Sequence, residues 1–210
     1  MSTVEIIEDA NTQKIAVWLE GVIAQCLSRS DERVKIAVPG GSTPFPIFAE
    51  LAKSDLDFAR LDIFMTDDRV VPADHPASNV GRVAEIFEGA TEAKVHPLNE
   101  DDPIPEFDLV WLGMGADGHI ASLFPNTDPQ ADDSEIVRRL TPDPLPPEAP
   151  FDRVTLTIPA LLRTSQMIFV IRGEEKRAVF DAGAAGESDL PIARLLKAAA
   201  AKSIPVTVFA

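Results

Sequence analysis

The sequence predicts a single-domain, Rossmann-like α/β fold, a mostly parallel sheet flanked by helices on both faces. Three observations carry this expectation. Strand-like and helix-like segments alternate from end to end, the pattern of a parallel sheet with crossover helices. The glycine- and charge-rich motifs directly follow predicted strands instead of being scattered. The chain has 210 residues, 45% of them hydrophobic, enough for a sizeable core in one unit spanning 1–210.

In order along the chain, residues 11–29 form a helix, because Ile15, Trp18, Leu19, Val22, Ile23 and Cys26 recur at helical spacing. Cys26 lies on that apolar stripe and is read as core packing. Val34 to Val38 is a strand. It runs into Pro39-Gly40-Gly41-Ser42-Thr43-Pro44 and a helix bearing Phe45, Phe48 and Leu51. Pro44 suits the first helical position, with Ser42 or Thr43 as N-cap. Leu61 to Thr66 is a strand ending in Asp67-Asp68-Arg69. Ser78-Asn79 opens a helix with Val80, Val83, Ile86 and Phe87 on its buried side.

Phe107 to Leu112 is an apolar run that reads as a buried strand. After it, Gly113 to Pro125 forms a glycine-rich turn leading into a short helix. Residues 125–150 are rich in Pro, Asp and Glu without periodicity, and read as a surface excursion. Arg153 to Ile158 and Gln166 to Ile171 are strands, the second entering Arg172-Gly173-Glu174-Glu175-Lys176. Helices near 175–183 and 190–201 precede a last strand, Val206 to Phe209.

The net charge of −15 argues against nucleic acid, whose phosphates demand clustered Lys and Arg. A single cysteine allows no internal disulfide and suits a reducing cytoplasm. Met1 to Glu5 has no leader character, and no apolar run is long enough to span a bilayer. The expectation is a cytoplasmic protein with no membrane partner, monomeric or a small homo-oligomer.

In a parallel sheet the four post-strand motifs lie along one edge, where such folds bind ligands. Gly40-Gly41-Ser42-Thr43 combines backbone N–H groups, two hydroxyls and a helix N-terminus, a cradle for phosphate. By itself the segment also fits an ordinary capped turn. Arg69 and Lys176 on the same edge favour phosphate, and Arg82 could reach it from the helix after Asn79. No Walker A or dinucleotide pattern is present.

His119 and Asp117 on a rigid turn can supply acid–base chemistry near neutral pH. His75 and His96 lack partner motifs and are read as non-functional. The histidines and cysteine have no metal-ligand spacing, so neither metal nor organic cofactor is expected. There is no Gly-x-Ser-x-Gly elbow for a serine hydrolase.

Together Gly40-Gly41-Ser42-Thr43-Pro44, Thr66 to Pro72, Ser78-Asn79, Gly113 to Pro125 and Gly173 to Lys176 resemble the 6-phosphogluconolactonase family. The resemblance spans most of the chain and implies the phosphosugar isomerase/deaminase type of fold. Glucosamine-6-phosphate deaminases also carry Asp-Gly-His-Ile-Ala, but continue it as Phe-Asn-Glu-Pro with a catalytic Glu. Here Ser122-Leu123-Phe124-Pro125 follows, the lactonase form. Two departures stand out: Asp68 where the family usually has Glu, and Ile120 where it usually has Thr.

The resemblance implies hydrolysis of a small phosphosugar lactone, 6-phospho-D-glucono-1,5-lactone, to 6-phospho-D-gluconate in the oxidative pentose phosphate pathway. His119 is the expected general base and acid, with Asp117, Asp67 or Asp68 orienting it or the substrate hydroxyls. Gly40, Gly41, Ser42, Thr43, Asp68, Arg69, Asn79, Arg82 and Lys176 are the expected substrate- and phosphate-binding residues. Two rival readings are a glucosamine-6-phosphate deaminase/isomerase-type enzyme and a non-catalytic sugar-phosphate sensor.

Overall fold

In the computed structural model, which describes residues 4–88, 92–147 and 149–210, ten strands and six helices follow one another. Met1, Ser2 and Thr3, where no leader was expected, lie outside the described residues, as does Glu148 of the acidic excursion. The strands are β1 (Val4–Ile7), β2 (Val34–Val38), β3 (Leu61–Met65), β4 (Asp67–Arg69), β5 (Lys94–His96), β6 (Leu109–Leu112), β7 (Val137–Leu140), β8 (Arg153–Leu156), β9 (Met167–Val170) and β10 (Val206–Phe209). The helices are α1 (Thr12–Arg29), α2 (Pro44–Leu51), α3 (Asn79–Glu88), α4 (Ile158–Leu161), α5 (Glu174–Ala185) and α6 (Pro191–Ala201).

Seven strands form one sheet in the order β1-β10-β9-β6-β2-β3-β5, every neighbouring pair parallel. Its central strands β6 and β9 are buried at every position, as expected of strands covered on both faces. From β2 the chain moves outward through β3 to β5; from β6 it moves the other way through β9 to β10. With right-handed crossovers, these opposite directions put α1, α2 and α3 on one face and α5 and α6 on the other. The packing agrees: α2 contacts α1 and α3, while α5 contacts α6. Connections therefore diverge between neighbouring β2 and β6, and ligands bind beyond the carboxyl ends of strands at such a divergence. The motifs Gly40–Thr43 and Gly113–His119 are what follow those two strands.

A second sheet, β4-β8-β7, is antiparallel and stands beside that edge. Four expectations need correction. Asp67-Asp68-Arg69 is a strand of this small sheet and not merely the turn after β3. Residues 125–150 contain β7, an edge strand whose Arg138, Arg139 and Leu140 are only partly buried or exposed, so no apolar pattern marks it. Edge strands β1 and β5, likewise short and exposed or half-buried, also escape a reading based on buried runs. The helix expected after Gly113 is absent. Instead Ile120 bridges both Met114 and Leu123 in a tight loop, closed by a 3-10 turn at Pro125–Thr127.

Asn11 caps α1, its side chain accepting the Lys14 N–H at 2.9 Å. Cys26 packs against the core from this helix. Burial first, then nearby Asp108, pushes its thiol up against the opposing pull of Arg29. An elevated thiol is a poor nucleophile, consistent with a packing role.

Candidate active site

One cavity of about 350 Å³ opens at the carboxyl edge of the large sheet. The structure brings to it nine residues singled out from sequence: Gly40, Gly41, Ser42, Thr43, Asp67, Arg69, Asn79, His119 and Lys176. They arrive on four separate connections, after β2, β3, β6 and β9.

The loop after β6 is built around a His–Asp pair. His119 Nδ1 lies 2.6 Å from Asp117 Oδ1, and the same oxygen accepts the His119 backbone N–H at 3.2 Å. An ionised carboxylate only accepts hydrogen bonds, so Nδ1 carries the proton and Nε2 is left with its lone pair. Asp117 itself is half-exposed and does not line the cavity. The Phe124 ring packs against the imidazole with centroids 4.9 Å apart. Gly115 makes the pair possible: a Cβ there would sit 2.3 Å from His119 Nδ1 and 2.5 Å from Asp117 Oδ1. Gly118, at φ +79°, turns the backbone through a region side-chain-bearing residues avoid.

Asp67 is joined to this loop by Ser122, whose Oγ donates to Asp67 Oδ2 at 2.6 Å. Asn79 Nδ2 donates to the Asp67 carbonyl at 3.2 Å, and Asn79 Oδ1 accepts from Arg69 Nη1 at 3.1 Å. Gly40 packs so closely on Asn79 that a Cβ would fall 2.0 Å from its Cγ. The β2, β3 and β6 loops are thus locked into one polar surface. Thr43 occupies the N-cap of α2 with Pro44 following it, yet its side chain makes no capping bond. That leaves the hydroxyl available to a ligand, although the helix start itself offers none of its own N–H groups: Pro44 and Pro46 have none, and the Phe45 N–H donates to the Gly41 carbonyl at 3.4 Å. Lys176 stands in the first turn of α5, after Gly173 at φ +93°.

Three sequence-selected residues are not brought to the cavity. Asp68 is 4% exposed and points away, since alternate residues of a strand face opposite sides. Its carboxylate accepts the backbone N–H groups of Arg69 (2.7 Å), Asn79 (2.7 Å) and Val80 (2.9 Å), tying β4 to the start of α3. Burial pushes this carboxyl above its ordinary value although those three donors pull it down. Asp68 is a structural cap. Arg82 projects outward and pairs with Glu85 at 2.7 Å. Asp117, the third, is linked to the cavity by its bond to His119.

The cavity also holds residues not anticipated as site members, notably Ser122, Trp111, Pro146 and Arg153. Arg153 begins β8, a strand of the small sheet, and nothing in sequence ties that strand to the ligand edge.

The chain matches the family described as "Glucosamine-6-phosphate isomerases/6-phosphogluconolactonase" over residues 7–104 and 90–204. It belongs to that family. A 6-phosphogluconolactonase of Neisseria meningitidis serogroup A is 35% identical over 211 aligned residues, covering 86% of this chain and 88% of its own. The Mesorhizobium japonicum 6-phosphogluconolactonase is 35% identical over 220 aligned residues, 93% and 90% of the two chains. Among solved structures, a 6-phosphogluconolactonase of Shewanella baltica OS155 superposes with a TM-score of 0.80 at 25% identity, over 99% of this chain and 97% of that one. The Thermotoga maritima structure, at 24% identity and TM-score 0.79, supports the shared fold. Among the described residues, no helix is long and apolar enough to cross a membrane.

Proposed function

We propose that this family member hydrolyses 6-phospho-D-glucono-1,5-lactone to 6-phospho-D-gluconate, the second step of the oxidative pentose phosphate pathway. One observation carries the reading. The His119–Asp117 pair opens into a cation-bearing cavity with Phe124 packed on the imidazole, at the position where the deaminase string has its catalytic Glu. An apolar ring there cannot take up the acid–base role of a carboxylate.

In this mechanism His119 Nε2 removes a proton from water as the oxygen adds to the lactone carbonyl carbon. Asp117 holds the imidazole ring and stabilises the imidazolium that forms. When the tetrahedral intermediate collapses, the carbon–ring oxygen bond breaks and His119 returns the proton to that oxygen. The product carboxylic acid then ionises to solvent. The Gly40–Thr43 loop and Lys176 hold the phosphate, and Asp67, fixed by Ser122, faces the sugar hydroxyls. Residues 1–210 act as one cytoplasmic catalytic domain.

The test is a lactone-hydrolysis assay on purified protein with enzyme-free controls at each pH. Rate above background supports the reading. Ammonia release from glucosamine 6-phosphate, without lactone hydrolysis, would replace it with the deaminase alternative.

A further inference from the structure

Arg69 and Arg153 face each other across the antiparallel β4–β8 pair, and both line the cavity. Like charges placed directly opposite in a sheet are destabilising. Among the described residues neither guanidinium has a carboxylate within ion-pair distance. An oxyanion of a bound ligand is the counter-charge that suits them.

What holds the two side chains is neutral. Arg69 Nη1 donates to the Ala77 carbonyl at 2.8 Å and to Asn79 Oδ1 at 3.1 Å. Arg153 Nη1 donates to the Phe151 carbonyl at 2.6 Å, and its Nη2 to the Ala149 carbonyl at 3.0 Å. A guanidinium carries five N–H donors, so each arginine keeps donors for a ligand. The aim of each fork therefore depends on where these carbonyls stand. Ala77 belongs to the connection between β4 and α3, whereas Phe151 precedes β8. His75 joins the two segments. Its Nδ1 accepts the Ala77 N–H at 3.1 Å, and its ring meets the Phe151 ring at 76° with centroids 5.1 Å apart. The backbone fixes His75 in turn: its N–H donates to the Pro72 carbonyl, and its carbonyl accepts the Ser78 N–H, both at 2.9 Å. His75 is half-buried and does not line the cavity, so its influence on a ligand passes through Ala77 and Phe151.

We propose that His75 is a positioning residue of the site: through the Ala77 backbone and the Phe151 ring it holds the two carbonyls that aim Arg69 and Arg153 at an oxyanion of the ligand. This gives a task to a histidine that carries no partner motif in the sequence. It rests on the lactonase reading above only for the choice of ligand.

The test is calorimetric titration of the intact protein with 6-phospho-D-gluconate. His75→Ala should weaken binding by about two- to tenfold, the range for loss of one neutral hydrogen bond. His75→Asn should recover most of that loss, because an Asn side chain accepts the N–H two residues on in an Asx turn. On an Arg69→Met background the effect of His75→Ala should shrink, as it does for residues that act as a unit. Wild-type affinity in His75→Ala would overturn the proposal, as would no recovery in His75→Asn. So would a loss that stays undiminished beside Arg69→Met, the mark of general loosening. If His75→Ala does not fold, His75→Phe, which keeps a ring against Phe151 but cannot accept a hydrogen bond, is read the same way. Wild-type lactone hydrolysis is measured separately. If it is absent the lactonase reading fails, and inorganic phosphate replaces 6-phosphogluconate as the probe of the arginines.

Discussion

Asp117 Oδ1 accepts from two donors of the same residue, the ring Nδ1 of His119 at 2.6 Å and its backbone N at 3.2 Å. The double contact fixes both the position and the tautomer of the imidazole, and it leaves Nε2 as the proton acceptor. Asp117→Asn keeps the shape but can donate to Nδ1, which moves the ring proton to Nε2. General acid–base catalysis contributes about 10²–10⁴-fold, so kcat should fall by that order with KM little changed. His119→Asn should lose a similar factor. Near wild-type kcat in a folded His119→Asn protein would remove His119 from the chemistry.

Gly115 tests the same pair from the backbone side. A methyl group there collides with both Asp117 and His119, so Gly115→Ala must push them apart. Its kcat should drop toward that of Asp117→Asn while thermal stability changes far less. Full activity in Gly115→Ala would show that the pair tolerates displacement.

Lys176 reports on uniform binding. Phosphate contacts remote from the carbonyl are made alike in ground and transition states, so Lys176→Ala should raise KM more than it lowers kcat. The expected increase is about ten- to a hundredfold, the range for a charge-assisted contact. An unchanged KM would exclude Lys176 from the site.

Asp68 predicts a pH effect on stability. Its folded value lies above its unfolded one, near 3.9. Above that pH the unfolded chain has lost the proton that the folded protein still holds, so this contribution to stability is full below about pH 3.9 and declines as pH rises through the folded value. Asp68→Asn removes that titration. Urea unfolding from pH 4 to 7 should show the wild type losing stability relative to Asp68→Asn as pH rises. The opposite slope would contradict the burial effect. Asp68→Ala should cost about 1–3 kcal/mol, because it orphans buried N–H donors at the start of α3.

The sequence by itself determined the parallel architecture and most of the site. Buried strands such as Val34–Val38 and Leu109–Leu112 are continuous apolar runs, and the residues that follow them must emerge on one edge. Chain direction alone therefore placed Gly40–Thr43, His119 and Lys176 together. Local spacing also sufficed for Asp117 and His119, two residues apart on one turn. Tertiary structure decided the rest. Asp67, Asp68 and Arg69 read as one charged cluster, but strand pairing sends Asp68 to the opposite face, where it caps α3. Arg153 enters the cavity only because β8 pairs with β4 across more than eighty residues of chain. Such pairing is set by packing between distant segments, and the short, half-polar strands that make it carry no periodic signature of their partner.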